Sequence, residues 1–360
     1  MKDTLSRVAT ISLGLAMAAP NAGAQSLDHL TLHGYLTQGY AYSTDLPVLG
    51  IPTEATGNYR TAALQFRYAV TGADNLVLQI RHAEIGNSPY IAGNDAVSLD
   101  WVFYQRRIST GSLRIGRVPM PLGMLAETRD VGTLMPFYRA PASVYFEGFR
   151  TVDGAMLSHA FDLPARFNVD VSAFGGGFNG KTVLRGPYGV SAVDSRFEEA
   201  RGGNIVVGTP ISGLRVGGSA MRMREMDTLT SKPATQVDVR YASVEYAKER
   251  FFVRSELAHV GFNTTHILNR YVHAGVKLTE RIGVNGQVDF SDYNIGTAAG
   301  PFTFENTADR AASANYALTS SVVFKIEHHR VKGYDFDTFV MPGGTPGKTS
   351  YTIGSVSVAF

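Results

Sequence analysis

The chain has 360 residues, of which 44% are hydrophobic and 18% charged, and its formal net charge at pH 7 is +2. A charge balance this close to zero gives no case for nucleic acid as a partner. The sequence contains no cysteine, which excludes disulfides and thiolate metal sites.

The first residues have the features of a secretory signal peptide. Lys2 and Arg7 supply positive charge, residues 8–19 are almost entirely apolar, and Ala22-Gly23-Ala24 fits a small-residue cleavage site. The alternative, a membrane anchor, would need a longer apolar run. We therefore predict a signal peptide over residues 1–24 and an exported domain over residues 25–360.

The exported part shows the period-two hydrophobicity of β-strands. In the first segment Leu30, Leu32 and Leu36 alternate with Thr31 and His33. The same pattern predicts sixteen strands, over residues 30–42, 61–70, 76–81, 97–106, 113–116, 151–159, 166–174, 203–208, 214–223, 236–246, 251–260, 268–278, 282–290, 311–318, 321–331 and 351–360. The mean hydropathy is −0.04, which a membrane barrel with alternating faces would also show.

The connections between these strands alternate in length. Seven are short, at residues 71–75, 109–112, 162–165, 210–213, 247–250, 279–281 and 319–320. Eight are longer, at residues 44–58, 85–96, 118–150, 175–202, 224–235, 261–267, 291–310 and 332–350. Short turns on one side and longer loops on the other predict an all-β fold, a transmembrane antiparallel β-barrel of about 16 strands with both termini in the periplasm. A soluble all-β protein such as a lectin is the alternative, and the apolar outward faces argue against it.

The segment at residues 118–150 is unusually long for a loop in a compact domain. It begins with Pro119 and Pro121 and carries charged side chains among apolar ones. We interpret it as the third external loop, folded back into the lumen, where it would narrow a water-filled pore.

Two parts of the sequence resemble the Gram-negative outer-membrane porins. One is the alternating last strand that ends in Phe360, and the other is Arg114-Ile115-Gly116-Arg117-Val118-Pro119 at the start of the long loop. The resemblance implies a homotrimer and recognition of Phe360 by the barrel-assembly machinery. The loop departs from the acidic, glycine-rich constriction loop of the general trimeric porins, which leaves solute selectivity open.

Charged residues beside the long loop are the candidates for a pore constriction. Strand alternation predicts four arginines on the lumen wall: Arg67, Arg81, Arg106 and Arg114. By analogy with porins, acids on the loop would face them, and Glu127 and Asp130 are the candidates. Arg117 and Arg129 are also loop candidates for the constriction, but alternation does not predict the direction of their side chains. Such an arrangement creates a transverse field that steers ions. The alternatives are solvated lumen residues for the arginines and structural salt bridges for the acids.

Other motifs predict no chemistry. His328 and His329 are adjacent on a strand and point to opposite faces, which is poor geometry for a shared metal. The glycine-rich stretch at residues 175–180 lacks the ending of a phosphate loop, so we predict a flexible external loop there. No Gly-x-Ser-x-Gly elbow is present.

The sequence thus predicts a non-enzymatic porin of the outer membrane with no cofactor, no metal and no catalytic residue. It would pass small hydrophilic solutes and ions by diffusion, with a slight preference for anions, in contact with outer-membrane lipid and lipopolysaccharide. The alternatives are a substrate-selective channel and a closed-lumen barrel that acts as an enzyme or adhesin.

Overall fold

Sixteen antiparallel strands close into a barrel in the computed structural model, which describes residues 26–27, 29–88, 97–145, 147–226 and 233–360. The strands are β1 (Leu30–Ser43), β2 (Thr56–Ala69), β3 (Asp74–Ile85), β4 (Ser98–Ile108), β5 (Gly111–Pro119), β6 (Thr151–Leu163), β7 (Phe167–Gly186), β8 (Gly189–Gly208), β9 (Leu214–Met226), β10 (Pro233–Lys248), β11 (Phe251–Phe262), β12 (Thr265–Lys277), β13 (Ile282–Thr297), β14 (Gly300–Thr319), β15 (Val322–Gly333) and β16 (Gly347–Ala359). A two-residue strand, Ser26–Leu27, pairs with the start of β1.

The barrel closes between its first and last strands. Strand β16 pairs with β1 in a register that places Tyr351 opposite Ser43 and Ala359 opposite Tyr35. The backbone of Phe360 extends the pairing, because its N–H and C=O both bond to Gly34, at 3.0 and 2.9 Å. Closure leaves no unpaired edge among these sixteen strands.

All sixteen predicted strands are confirmed, but three of the predicted loops are wrong. The segment 175–202 is a hairpin whose strands pair as far as Gly186 and Gly189, so the glycine-rich stretch 175–180 is strand. In the same way 291–310 pairs as far as Thr297 and Gly300, and 261–267 shrinks to a two-residue turn. These stretches carry little apolar alternation, because hydrogen bonds between backbones continue a strand pair without it. The predicted signal peptide, residues 1–24, lies outside the described residues.

The two faces of the barrel differ as the alternation requires. Many outward side chains are apolar and solvent-exposed, for example Leu76, Leu157 and Ile326, which are 50%, 55% and 59% exposed. Their inward neighbours Val77 and Met156 are buried. The hydrophobic core therefore lies inside the barrel, where connecting segments cover the inner wall.

Two apolar clusters fill the interior. In the larger one, Leu122, Leu125 and Val144 of the segment 120–150 pack with inward-facing residues of β9 to β11, among them Met223 and Val239. Each fully buried side chain of this size contributes roughly 1.5–3 kcal/mol. The smaller cluster joins residues of the connections 44–55 and 334–346 to the inner wall near the β1–β16 seam. Three of the connections thus fold inward, all from the same end of the barrel.

One irregularity changes which side chains face the lumen. Strands β3 and β4 shift register between Gln79 and Ile80, so that Trp101 lies opposite Gln79 and Leu99 lies opposite Ile80. The extra residue lies on β4 and forms a β-bulge. Side chains on β4 that alternation would place on the same face therefore point to opposite faces on the two sides of the bulge. No helix among the described residues is long and apolar enough to cross a membrane.

Candidate pore constriction

The segment 120–150 crosses the interior of the barrel and bonds to walls far from its own ends. On one side the Gly123 N–H donates to Ser219 Oγ at 3.1 Å and the Met124 N–H donates to Glu256 Oε1 at 2.7 Å. Further along, the Tyr138 N–H donates to Glu327 Oε2 at 2.6 Å. These partners lie on β9, β11 and β15, so the loop lies within the lumen.

Lys325 anchors the middle of the loop. Its buried ammonium on β15 donates to three loop carbonyls, those of Gly132, Met135 and Phe137, at 2.8, 3.0 and 3.2 Å. An ammonium has three donors, and all three are used here. The loop backbone is therefore held in one position against β15.

A network of arginines and carboxylates joins the loop to β3 and β4. Arg150 forms ion pairs with Asp130 and with Asp100, the latter at 3.6 Å, and Arg81 Nε lies 3.5 Å from Asp130 Oδ2. Arg139 Nη2 donates to Glu147 Oε1 at 2.7 Å. All six side chains of this network are at most about a fifth exposed, so the pairs are poorly screened by solvent.

The arginines control the ionisation of the two loop acids. Burial alone would raise the pKa of the Asp130 carboxyl, but Arg150, Arg81 and Arg129 hold that pKa well below its ordinary value. Burial would likewise raise the pKa of Glu147, and Arg139, Arg81 and Arg150 lower it to about 2. Both carboxylates are charged at neutral pH.

Three of the four wall arginines that the sequence placed in the lumen do face it. Arg81 meets Asp130, as described above, and Arg114 Nη1 donates to Glu127 Oε1 at 3.1 Å. Arg67 Nε donates to the neighbouring Asn75 Oδ1 at 3.1 Å. The structure thus brings Arg81 and Arg114 together with the two predicted loop acids, whereas Arg67 bonds within the wall.

Arg106 and Arg117 do not face the lumen, and their predicted placement was wrong. Arg106 lies opposite Asp74 on the outward face of β3 and β4, with its Nη1 3.6 Å from Asp74 Oδ1. The β-bulge explains the error. Alternation counted from Leu99 passes over the extra residue of β4 before it reaches Arg106, and it therefore predicts the wrong face. Arg117 is still part of β5, next to the inward-facing Val118, and its Nε donates to Asp153 Oδ1 at 2.7 Å on the outer face.

Sequence reasoning did not place Arg139, Glu147 and Arg150 in the constriction, although they belong to the same network. The loop has no periodicity from which to predict their direction. On β15, the inward Lys325 and Glu327 alternate with outward residues, and this spacing could have identified them. Among the described residues no group of histidine and acidic side chains could hold a metal ion.

Two cavities lie on either side of the loop. The loop-side cavity, of about 110 Å³, is lined by Arg139, Glu147 and Asp289 among others. The turn-side cavity, of about 360 Å³, is lined by residues such as Trp101. Arg129 and Asp130 line both cavities. The boundary between the two halves of the lumen therefore lies at this pair.

Sequence comparison finds no protein-family model and no curated protein that matches the chain. Solved structures do match its fold. OmpF of Salmonella typhi in complex with daunomycin has a TM-score of 0.61 at 10% identity, over 95% of this chain and 99% of its own. An anion-selective porin from Comamonas acidovorans has a TM-score of 0.57 at 10% identity, over 92% and 99%. OmpT of Vibrio cholerae, in its trimer form, has a TM-score of 0.54 at 11% identity, over 92% and 99%.

At these identities the likeness concerns the fold. The chain is a closed, 16-stranded antiparallel barrel of the kind found in outer-membrane proteins. Together with the charged loop inside the lumen, these observations define a barrel with a porin-like fold.

Proposed function

We propose that this protein is an outer-membrane porin in which small hydrophilic solutes and ions diffuse past the loop 120–150, with no catalytic step and no cofactor. The observation that carries the proposal is the position of Arg129 and Asp130. They border the cavities on both sides of the loop, so a solute that crosses the lumen passes them. A fixed pair of opposite charges at the narrowest point is a common way in which pores discriminate among solutes.

The charges around this point support a slight preference for anions. Five arginines surround the junction of loop and wall: Arg81, Arg114, Arg129, Arg139 and Arg150. Four carboxylates belong to the same group: Asp100, Glu127, Asp130 and Glu147. Five minus four leaves one positive charge. Elsewhere the loop-side cavity is lined by four further carboxylates and one further arginine, Asp289, Asp309, Asp335, Asp337 and Arg185. The proposed anion preference therefore rests on the junction alone, and the opposed charges give the lumen a transverse field.

A substrate-selective channel is the second candidate, and the apolar packing favours it. Inward residues of β9 to β12 are covered by the loop in the larger hydrophobic cluster, so that side of the lumen is closed to water. The remaining path is narrower than the barrel. Saturable block of the current by one class of solute would identify this function, whereas a general porin would show conductance proportional to salt.

The proposal includes export and assembly. Residues 1–24 would direct the chain across the inner membrane, Phe360 would be recognised by the barrel-assembly machinery, and lipopolysaccharide would surround the barrel. A homotrimer is proposed because the similar OmpT of Vibrio cholerae is described in a trimer form.

Planar-bilayer recording of the refolded protein under a salt gradient tests the proposal. We expect discrete open steps, and a reversal potential of the sign for mild anion preference. Arg81→Gln removes one positive charge beside the path and should lower the anion-to-cation permeability ratio about two- to fivefold, which corresponds to roughly 0.5–1 kcal/mol. Arg106→Gln is the matched control, because Arg106 faces outward.

Each outcome separates the candidates. Equal shifts in the two variants would contradict the role of the inner arginine. Silence from correctly folded barrels would overturn the channel itself and favour a closed-lumen enzyme or adhesin.

A further inference from the structure

Five basic residues form a patch on the outward face of three neighbouring strands. The basic patch consists of Arg310 on β14, His328, Arg330 and Lys332 on β15, and Lys348 on β16. Their facing follows from the residues between them, since His329 and Val331 are buried inside the barrel. Arg310, Arg330, Lys332 and His328 are themselves exposed. The patch lies near the end of β15 at Gly333, on the side where the long connections lie.

The strand register places like charges directly opposite each other in this patch. Arg310 is the cross-strand partner of Arg330, and Lys332 is the partner of Lys348. Directly opposite like charges destabilise a sheet. None of these four side chains forms a salt bridge with a carboxylate in the part of the chain that the structure describes. The arrangement is unfavourable unless an anion bridges the pairs.

Three outward arginines elsewhere on the barrel have carboxylate partners, although Arg222 also lies opposite Arg201. Arg222 Nε pairs with Asp238 at 2.7 Å on the adjacent strand, Arg270 pairs with Asp292, and Arg60 pairs with Glu84. In each case the carboxylate lies on the neighbouring strand. The basic patch differs from these in having two like-charge pairs side by side, Arg310 with Arg330 and Lys332 with Lys348, so an external anion is the counter-ion that would relieve their repulsion.

An apolar groove adjoins the basic patch. It has a volume of about 570 Å³ and a lining that is mostly apolar. Its floor consists of small residues on three strands, Ala274, Gly286 and Ala312, with Val272 and Val288 beside them. Arg310, His328 and Arg330 border the same groove. One end of the site is therefore basic and the other is shaped for a hydrocarbon chain.

We propose that the basic patch and this groove bind a phosphate-bearing lipid, with the phosphate between Arg310 and Arg330 and an acyl chain along the groove. Guanidinium groups match phosphate oxygens in geometry as well as in charge. Basic pockets on membrane proteins bind anionic head groups in this way. Because the patch lies on the side of the long connections, the lipid is a phosphorylated glycolipid of the outer leaflet. The inference rests on the membrane location in the proposed function and not on conduction.

Native mass spectrometry of the detergent-purified full barrel, titrated with bisphosphorylated lipid A, tests this site. The double variant Arg310→Gln/Arg330→Gln should bind lipid A about 10- to 100-fold more weakly, because it loses the charge-assisted hydrogen bonds to phosphate. Arg270→Gln is the matched control, since this outward arginine has its own carboxylate, and it should bind like the unaltered protein. Lipid A without phosphates should bind the unaltered protein as weakly as bisphosphorylated lipid A binds the double variant.

A stability measurement separates a lost site from a damaged barrel. In lipid-free detergent the double variant should unfold at the same temperature as the unaltered protein or higher, because repulsion between the two arginines is removed. Only the unaltered protein should gain stability from added lipid A.

Two results would overturn the inference. One is equal lipid binding by the double variant. The other is complete displacement of the lipid by millimolar inorganic phosphate, which would mean that the patch binds free phosphate. Neither result bears on conductance, so the lipid site and the porin function can fail independently.

Discussion

Glu147 links the charge of the constriction to the position of the loop. Its carboxylate accepts a hydrogen bond from Arg139 at 2.7 Å, and Arg139 in turn donates to the Leu49 carbonyl at 3.1 Å. The pKa of Glu147 is lowered from 4.5 to about 2, where burial opposes the stronger effect of the arginines. A lowered pKa in the folded state means that the ionised form is the one stabilised by folding. Loop docking therefore gains stability above pH 4.5 and loses it as the pH falls towards 2.

Trp101, the single tryptophan of the sequence, can report this loss. It lines the turn-side cavity together with loop residues such as Glu127. In the unaltered protein its fluorescence should change as the pH falls from 4.5 towards 2. Glu147→Gln should weaken docking at neutral pH by ~3 kcal/mol, the equivalent of the pKa shift, and should flatten this transition. Glu280→Gln, at an exposed turn, is the control. An unchanged transition in Glu147→Gln would show that another group controls docking.

Part of this charged network could be predicted from the sequence. Strand alternation identified the arginines on the wall, and the resemblance to porins identified the acids on the loop. Arg81 and Arg114 are on regular strands, and their lumen-facing side follows from alternation. Glu127 and Asp130 were proposed as their partners by analogy with porins, in which acids on the loop face the arginine-bearing wall. Arg139, Glu147 and Arg150 follow no period, so only the folded path of the loop shows that they meet.

At the scale of elements, the fit between the loop and the barrel wall depends on Gly132. A Cβ atom at this position would overlap Thr37 Oγ1 and Ser357 Oγ, whose hydroxyls bond to each other at 3.0 Å. Both hydroxyls are buried on β1 and β16. The loop can therefore approach the β1–β16 seam only where it has no side chain.

Gly132→Ala should push the loop away from this seam while leaving the strands intact. Overpacking of this kind costs roughly 1–3 kcal/mol, so amide hydrogen exchange in residues 120–150 should become about 10-fold faster or more. Gly354→Ala is the matched control, because a Cβ there meets nothing within 4 Å. Strand amides should exchange at unaltered rates in both variants. Unchanged loop exchange in Gly132→Ala would contradict the tight fit.

The existence of each strand could be predicted from the sequence. Which side chains point into the lumen, and where each strand ends, could be predicted only in part. Alternation identifies a strand wherever one face is apolar, which covers all sixteen. The bulge at Gln79 has no sequence pattern of its own, and it reversed the facing of Arg106. The hairpin extensions to Gly186 and Thr297 are held by backbone pairing, which hydrophobicity does not report.

At the scale of the whole molecule, the loop divides the lumen into unequal parts. The side formed by β9 to β12 is sealed by apolar packing, where Val239 and Ala258 are fully buried. The side formed by β1 to β4 has the polar residues Gln65 and Gln79 beside apolar ones such as Val77, and it borders the turn-side cavity. A water-soluble solute should therefore cross along the second side only.

The absence of cysteine makes this asymmetry measurable, because single cysteines can be introduced without background. In a bilayer, Gln65→Cys should react readily with a charged methanethiosulfonate reagent and change the current. Ala258→Cys should react at least about 100-fold more slowly than Gln65→Cys. The reagent can reach Ala258 only when the loop opens, at a cost of roughly 3 kcal/mol. Ala62→Cys, which alternation places on the outer face, should not react in lipid.

Fast reaction at Ala258 would mean that the apolar side opens on the timescale of labelling. The lumen would then be wider than the docked loop allows, and the case for a narrow, selective path would fail. Reaction at Gln65 alone would instead place the path along the arginine-bearing wall. The charge balance near Arg129 and Asp130 would then act on every ion that crosses.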